Sequence, residues 1–187
     1  FQGLCALDAL RYRPDAVTAA FVRYLRETQC NDGSWREAAG RPPLEESSWV
    51  EMHFAVRALK AFPMAGEEQA TERSLRRALE WLRRETPATL NERAFQVLGL
   101  GWGTEPRERL QPLVRALLDA QRSDGGRAQL PTLESDAWAT GLTLFALHEA
   151  GDVSATDPAY QRGIEFLLRT QFEDGSCWVR NRTWPFQ

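Results

Sequence analysis

The sequence predicts an all-α protein built from antiparallel helix pairs, and three observations lead to this fold class. A short loop pattern, Gln-x-(Asn/Ser/Glu)-Asp-Gly, occurs three times, beginning at Gln29, Gln121 and Gln171. Each occurrence follows a stretch whose apolar residues recur with helical spacing. No segment shows the sustained alternation that is typical of a β-strand. Internal repetition of this kind indicates a repeat architecture.

The repeat extends beyond the loop itself. Residues 24–35, 116–127 and 166–177 align without gaps through their glycine, and residues 77–86 form a fourth copy that has lost the Gln and the Asp-Gly. The copies are unevenly spaced while their central pattern is constant, which indicates insertions in loops. We therefore expect one α/α-repeat domain over residues 1–187.

Each copy predicts an outer helix followed by an inner one. The first outer helix has an apolar stripe opposed by charged residues, and the stripe consists of Ala16, Val17, Ala20, Phe21, Tyr24 and Leu25. Gly after Asp ends such a helix, because Gly tolerates the left-handed backbone. The following segments, 47–62, 92–102 and 135–150, are apolar over most of their circumference and are expected to be more buried, with Ser47 and Ser135 as N-caps. With a buried helix over residues 1–10, about eight helices are expected.

Composition narrows the classes of partner. The chain has 43% hydrophobic and 26% charged residues and a net charge of −3, which is typical of a folded globular protein and argues against a nucleic-acid partner. No apolar run approaches the roughly 20 residues that cross a bilayer, whereas peripheral membrane contact stays open. The chain begins within a predicted helix and stops abruptly, so we expect it to be a segment of a longer protein.

The last copy carries a family resemblance. Its pattern, Arg162-Gly-x-x-Phe-Leu-x-x-x-Gln-x-x-x-Gly, followed by Trp178, resembles the QW repeat of squalene and oxidosqualene cyclases, with two residues instead of one before the Trp. The copy that ends at Trp35 keeps the Gly–Trp spacing but lacks the leading basic and small pair, and a third copy has Arg127 in place of the Trp. The resemblance implies an (α/α) toroid or part of one, as in terpenoid cyclases and protein prenyltransferases.

This resemblance also implies where a ligand lies. In such toroids ligands occupy the central cavity near the N-terminal ends of the inner helices, and helix N-termini also attract anions. The residues predicted to contact substrate are Trp49, His53, Phe95 and Trp138. Further residues that the pattern places near these helix ends are Glu46, Met52, Glu92, Trp184 and Phe186.

One acidic pair resembles a catalytic motif. Class II terpene cyclases protonate an alkene or epoxide with an Asp-x-Asp-Asp motif, and the segment Glu134-Ser-Asp136-Ala matches its first and third positions. The resemblance implies Asp136 as the acid and Glu134 as its support, whereas Ala137 replaces the final Asp. The alternative interpretation is that Asp136 belongs to an N-terminal cap of a repeat helix.

Other chemistries have weaker support in the sequence. A lone His53 among apolar residues is more typical of the core than of a site, and a zinc site from His53, Asp136 and Cys177 lacks the prenyltransferase ligand motifs. The thioester motif is absent from the sequence, and no metal or cofactor is predicted.

The leading hypothesis is a terpene-cyclase-like domain that binds an apolar isoprenoid, with proton-initiated cyclisation if it is an isomerase or lyase. The alternative is a non-catalytic helical repeat module that mediates protein interaction within a larger protein.

Overall fold

The computed structural model describes residues 1–36, 40–44 and 47–182. Within these ranges there are eight α-helices and no β-strand, which confirms the predicted all-α class and the helix number. The helices are α1 (Gln2–Ala9), α2 (Ala16–Glu27), α3 (Ser48–Ala61), α4 (Glu68–Arg84), α5 (Leu90–Trp102), α6 (Arg107–Asp119), α7 (Ala137–Glu149) and α8 (Pro158–Thr170).

The helices form two layers. In the inner layer α3 packs against both α1 and α5, and α5 packs against α7, so that these four helices form a row. In the outer layer α4 packs against α3 and α5, α6 against α5, and α8 against α7. The alternation of outer and inner helices along the chain is the predicted one. No helix in the described ranges is long and apolar enough to cross a membrane.

The apolar pattern of each layer explains this arrangement. The inner helices are contacted on several sides, and α5 accordingly buries residues from almost every part of its circumference. The outer helices bury one face each. In α4 the buried face includes Leu75, Ala78 and Leu82, while its arginines and glutamates cover the opposite face.

The predicted stripe on α2 divides between two faces. Leu25 packs in the core together with Thr18 and Val22. Val17, Phe21 and Tyr24, by contrast, are 56–61% exposed. These three residues follow one another at helical spacing and form an exposed face of α2.

The N-cap residue agrees with the prediction at α3 and differs from it at α7. Ser47 occupies the N-cap position of α3, but its side chain makes no capping hydrogen bond. The prediction of Ser135 as the cap of α7 is wrong: Asp136 is the N-cap, and the Ser135 hydroxyl donates to Asp124 Oδ1 instead (3.2 Å).

Two of the Gln and Asp-Gly loops connect neighbouring outer helices, and we refer to each loop with its Gln as a clamp. In the first clamp Gln29 Nε2 donates to Gly33 O (2.9 Å) and to Ser74 O in α4 (3.0 Å). In the second, Gln121 Nε2 donates to Gly125 O (2.9 Å) and to Ala159 O in α8 (2.7 Å). One amide thus satisfies a carbonyl of its own turn and one of the next outer helix.

The junction between α4 and α6 is built differently. Here the chain has Thr86 at the register of the clamp Gln, and the contact is an ion pair in which Arg83 Nε donates to Glu105 Oε2 (2.9 Å). The Glu105 side chain is almost fully buried, whereas that of Arg83 is partly exposed. An ion pair therefore stands where the other two outer-helix junctions have amide hydrogen bonds.

Candidate functional site

A cavity of about 430 Å³ lies at the N-terminal end of α7 and is called the Trp138 cavity here. Its walls are mostly apolar, and they come from a loop before α3, from the first turn of α7 and from the C-terminal segment. The lining residues are Arg41, Pro42, Pro43, Leu44, Trp138, Val179 and Asn181. This end of the inner layer is where the resemblance predicts a ligand.

Hydrogen bonds hold the two irregular segments of the cavity wall together. The backbone N–H of Arg182 donates to Pro42 O (3.1 Å), which joins the C-terminal segment to the loop before α3. Arg182 Nε donates to Gln129 Oε1 (2.7 Å), and Gln129 Nε2 donates to Arg180 O (3.3 Å). Gln129 is fully buried, so its amide anchors the segment 178–182 from below.

Trp138 is positioned by the first turn of α7. Its indole is partly buried and lines the cavity, while its Nε1 atom is buried and has no hydrogen-bond acceptor among the described residues. The ring contributes a wide apolar surface and a π face that attracts positive charge.

Asp136 lies two residues before Trp138 and caps the same helix. Its Oδ1 accepts a hydrogen bond from the Ala139 N–H (2.9 Å), and its own backbone N–H donates to Arg127 O (2.9 Å). The side chain is buried, whereas Glu134 in the preceding loop is exposed. The two predicted catalytic carboxyls thus lie in different environments, one ordered by the helix and the other in solvent.

The other three predicted substrate contacts lie in the core between the helix layers. Trp49 packs edge-on against Trp81 of α4, with ring centroids 4.7 Å apart. His53 stacks on Phe95 of α5 at 4.6 Å. Burial lowers the pKa of His53 to about 3, so its ring is neutral in the folded protein near neutral pH. Of the four, Trp138 lines the cavity.

The remaining candidate site residues either stabilise the fold or lie outside the described residues. Glu92 forms a capping box with Thr89 at the start of α5, where its Oε2 also accepts from the Ala88 N–H (2.6 Å). Met52 is fully buried in the core. Glu46, Trp184 and Phe186 lie outside the described residues.

Sequence reasoning missed most of the cavity wall. Pro42, Leu44 and Val179 lie in irregular segments, which periodicity does not address, and Gln129 lies in a loop between helices. One signal was available in the alignment of the copies, where Arg127 occupies the Trp position. It shows that the loop containing Arg127 and Gln129 departs from the other copies.

A larger cavity of about 580 Å³ lies at the opposite end of the inner helices, between α6 and the loop after α7. Its lining alternates between apolar residues such as Leu110 and charged residues of both signs, including Arg107 and Asp152. Arg107 and Asp152 also form an exposed ion pair (2.7 Å). The lining of this larger cavity is more polar and more charged than that of the Trp138 cavity, which suits a hydrocarbon less well.

Comparison with known proteins gives one informative similarity. No family model matches this chain. The chain is 32% identical over 161 residues to a squalene–hopene cyclase from Bradyrhizobium diazoefficiens, a match that covers 86% of this chain and 19% of the relative. The chain thus spans about a fifth of the length of this relative. The similarity indicates a distant, terpenoid-cyclase-like relationship.

Proposed function

We propose that this chain is a terpene-cyclase-like helical domain that binds an apolar isoprenoid in the Trp138 cavity. The observation that carries the proposal is an apolar-walled cavity at the N-terminal end of an inner helix, two residues beyond the buried carboxyl of Asp136. The similarity to a squalene–hopene cyclase over most of the chain supports the same class of ligand.

The cavity suits a hydrocarbon chain in size and lining. Its volume of about 430 Å³ falls in the range of small-molecule sites. Pro42, Leu44 and Val179 supply aliphatic wall, and the Trp138 indole supplies a π face. A π face of this kind stabilises a carbocation without offering a base that would quench it.

The chemistry proposed for this site is proton-initiated cyclisation. The Asp136 carboxyl donates its proton to one carbon of an alkene, which forms a C–H bond and leaves a carbocation on the neighbouring carbon. The π electrons of the next double bond then form a C–C bond to that carbocation. Loss of a proton from the final cation ends the reaction, so that product and substrate are isomers. Glu134 is proposed as a support for the acid.

The substitution Asp136→Asn tests the acid without removing the cap. Asn caps helices about as well as Asp, so the hydrogen bond from Ala139 is expected to persist while the transferable proton is lost. We expect squalene, or farnesyl or geranylgeranyl diphosphate, to give cyclised product with the natural chain and none with the variant. Product analysis by gas chromatography and mass spectrometry measures this.

A binding measurement serves as the control for that assay. Binding of the same isoprenoids, followed by quenching of tryptophan fluorescence, is expected to survive Asp136→Asn and to weaken about tenfold or more in Trp138→Ala. A matched control is Trp102→Ala, since that ring lies on α5 beside His53 and not in the cavity. If no isoprenoid binds, or if the two Trp variants bind equally well, the proposal is wrong.

A feature elsewhere in the molecule favours a second candidate function, that of a repeat module for protein interaction. At the end of α8 the side chains of Leu168, Phe172 and Trp178 are 56–67% exposed. Clustered large apolar side chains on a surface are typical of a protein interface. In this alternative Asp136 acts as a helix cap alone.

A further inference from the structure

A further cavity, of about 270 Å³, lies where the N-terminal end of α5 meets the C-terminal end of α6, and we refer to it as the Arg122 cavity. Thr89, Leu90 and Arg93 line it from α5. Arg122 and the loop 128–131 line it from the segment that follows α6. Among the described residues, Arg93 and Arg122 are the charged groups of this lining, and no carboxylate belongs to it.

This lining differs in charge from that of other cavities in the molecule. The cavity between α6 and the loop after α7 contains Arg107 together with Asp152, which is its ion-pair partner. The cavity beside α2 contains Arg23 together with Glu67, which form an ion pair as well. The Arg122 cavity has two arginines without such a carboxylate in its described lining. It therefore carries an excess of positive charge in a chain whose net charge is −3.

The Arg93 guanidinium is available to a ligand. Arg93 is exposed near the start of α5, and its guanidinium makes no hydrogen bond or ion pair with a described residue. The carboxyl of the adjacent Glu92 binds the backbone instead, since its Oε2 accepts from the N–H groups of Ala88 (2.6 Å) and Thr89 (3.2 Å). Glu92 thus balances the positive end of the helix and leaves the charge of Arg93 uncompensated.

Arg122 is held in place by neutral groups. Its Nη1 donates to Leu133 O (2.6 Å) and its Nη2 to Pro131 O (3.1 Å). Because a guanidinium has five N–H donors, its charge and three of these donors remain for an anion. The other two clamps have Cys30 and Phe172 at this position. The clamp itself therefore does not require an arginine here.

We propose that the Arg122 cavity binds a phosphate or diphosphate group, with Arg93 and Arg122 as its charged partners. Arginine suits this role, because its planar guanidinium donates parallel hydrogen bonds to two oxygens of a phosphate. The Thr89 oxygen accepts from the Glu92 N–H (3.2 Å), so the hydroxyl hydrogen of Thr89 remains to donate to a further phosphate oxygen.

The phosphate group has two sources, a free anion and the head of an isoprenoid diphosphate. Gln129 connects this cavity with the Trp138 cavity, because it lines the first and its amide anchors the segment 178–182 in the wall of the second. In the second source the hydrocarbon chain lies in the Trp138 cavity. That source rests on the proposed isoprenoid ligand, whereas the free anion does not.

Titration calorimetry of the whole chain with inorganic pyrophosphate tests the proposal. We expect saturable binding that weakens about tenfold or more in Arg93→Gln, a substitution that removes a charge without breaking a side-chain hydrogen bond among the described residues. The matched control is Arg76→Gln, which removes the same charge from an exposed position on α4 outside this cavity. We expect Arg76→Gln to bind pyrophosphate as the natural chain does. Circular dichroism verifies that both variants fold.

Farnesyl diphosphate distinguishes the two sources in the same titration. Binding about tenfold tighter than that of pyrophosphate identifies the group as the head of an isoprenoid, and equal binding identifies it as a free anion. Binding of pyrophosphate without binding of squalene supports this site and contradicts the isoprenoid cavity. Absence of saturable binding of both diphosphates, or equal binding by the Arg93→Gln and Arg76→Gln chains, would overturn the proposal.

Discussion

Arg127 occupies the position at which the first clamp has Trp35, and it replaces the indole with a buried cation. Its Nε donates to Leu117 O (3.2 Å), just as Trp35 Nε1 donates to Leu25 O. The Nη1 and Nη2 atoms are buried and have no hydrogen-bond partner among the described residues. Burial lowers the pKa of Arg127 to about 10, with a further contribution from the charge of Arg162. A buried cation without an anion opposes folding.

The substitution Arg127→Trp is expected to stabilise the protein. The indole N–H replaces the hydrogen bond to Leu117 O, and the unpartnered nitrogens are removed, which we expect to raise the free energy of unfolding by about 1–3 kcal/mol. Urea denaturation measures this change. The control is Arg127→Lys, which keeps the buried charge and should not stabilise. A lower free energy of unfolding for Arg127→Trp would contradict the explanation.

His53 predicts a dependence of stability on pH. Its pKa is about 3 in the folded state and about 6.5 when unfolded, so the unfolded chain binds a proton that the folded chain does not. Stability is therefore lost as pH falls from about 6.5 towards 3, by about 1.4 kcal/mol per pH unit. The variant His53→Phe has no such proton to bind when it unfolds. As the pH falls below about 6.5, the natural chain should therefore lose about 1.4 kcal/mol of unfolding free energy per pH unit relative to the variant.

Urea denaturation at pH 7.5 and pH 5 measures this shift. The second histidine of the chain, His148, is exposed at the end of α7 and provides the matched control. In His148→Phe the buried ring of His53 is retained, so the loss of stability between pH 7.5 and pH 5 should persist. A pH-independent difference for His53→Phe would show that His53 is not buried as a neutral ring.

At the scale of elements, the clamps explain why certain glycines are required. Gly33 has a φ of +94°, and its Cα faces the carbonyl of Arg77 in α4. Gly175 has a φ of +83°, but a Cβ there would meet the Gln171 side chain at 3.8 Å and no backbone of another helix. A side chain at either position strains the backbone, whereas only the side chain at Gly33 separates two helices.

The pair Gly33→Ala and Gly175→Ala separates backbone strain from the helix junction. We expect Gly175→Ala to lower the free energy of unfolding by about 1–2 kcal/mol through backbone strain alone. Gly33→Ala is expected to cost about 1–3 kcal/mol more, because the α2–α4 junction must also open. Thermal or urea denaturation measures both variants. Equal losses would show that the carbonyl contact in the clamp contributes nothing.

Helices and layers could be predicted because their signals are local. The apolar spacing in residues 92–102 predicts a buried helix, and α5 (Leu90–Trp102) follows that segment with two further residues at its start. The division of the α2 stripe could not be predicted, because Val17 and Leu25 are equally apolar and their burial depends on which helices lie alongside. The sequence pattern of a helix shows which residues are apolar, but the packing of neighbouring helices determines which of its faces is buried.

The candidate site was predicted only in part for a related reason. Trp138 and Phe95 both lie in the first half of an inner helix, but the first lines a cavity and the second packs against His53. The position of a residue along a helix determines how far along the helix axis its side chain lies. The rotation of the helix about that axis determines whether the side chain points into the cavity or into the core. The walls at Leu44 and Val179 belong to irregular segments that are joined by hydrogen bonds and have no periodic signature in the sequence.

At the scale of the whole molecule, the row of helix pairs resembles other repeat proteins, in which each unit contacts mainly its neighbours. Stability then depends on the junctions between units as well as on the units themselves. The exposed faces at Phe21 and at Trp178 lie at the two ends of this row. The Trp138 cavity, by contrast, joins segments that are remote in the chain, 40–44 and 178–182.

The ion pair between Arg83 and Glu105 stands alone at its joint, where the chain has Thr86 in place of a clamp Gln. Amide hydrogen bonds such as those of Gln29 respond little to dissolved salt, whereas a partly exposed ion pair is screened by it. The joint between α2 and α4 has the ion pairs of Glu67 with Arg23 and Arg26 as well as the amide hydrogen bond of Gln29, so salt screens only part of its polar contacts. Ionic strength therefore acts on both joints, but the joint between α4 and α6 has no clamp amide that persists when its ion pair is screened.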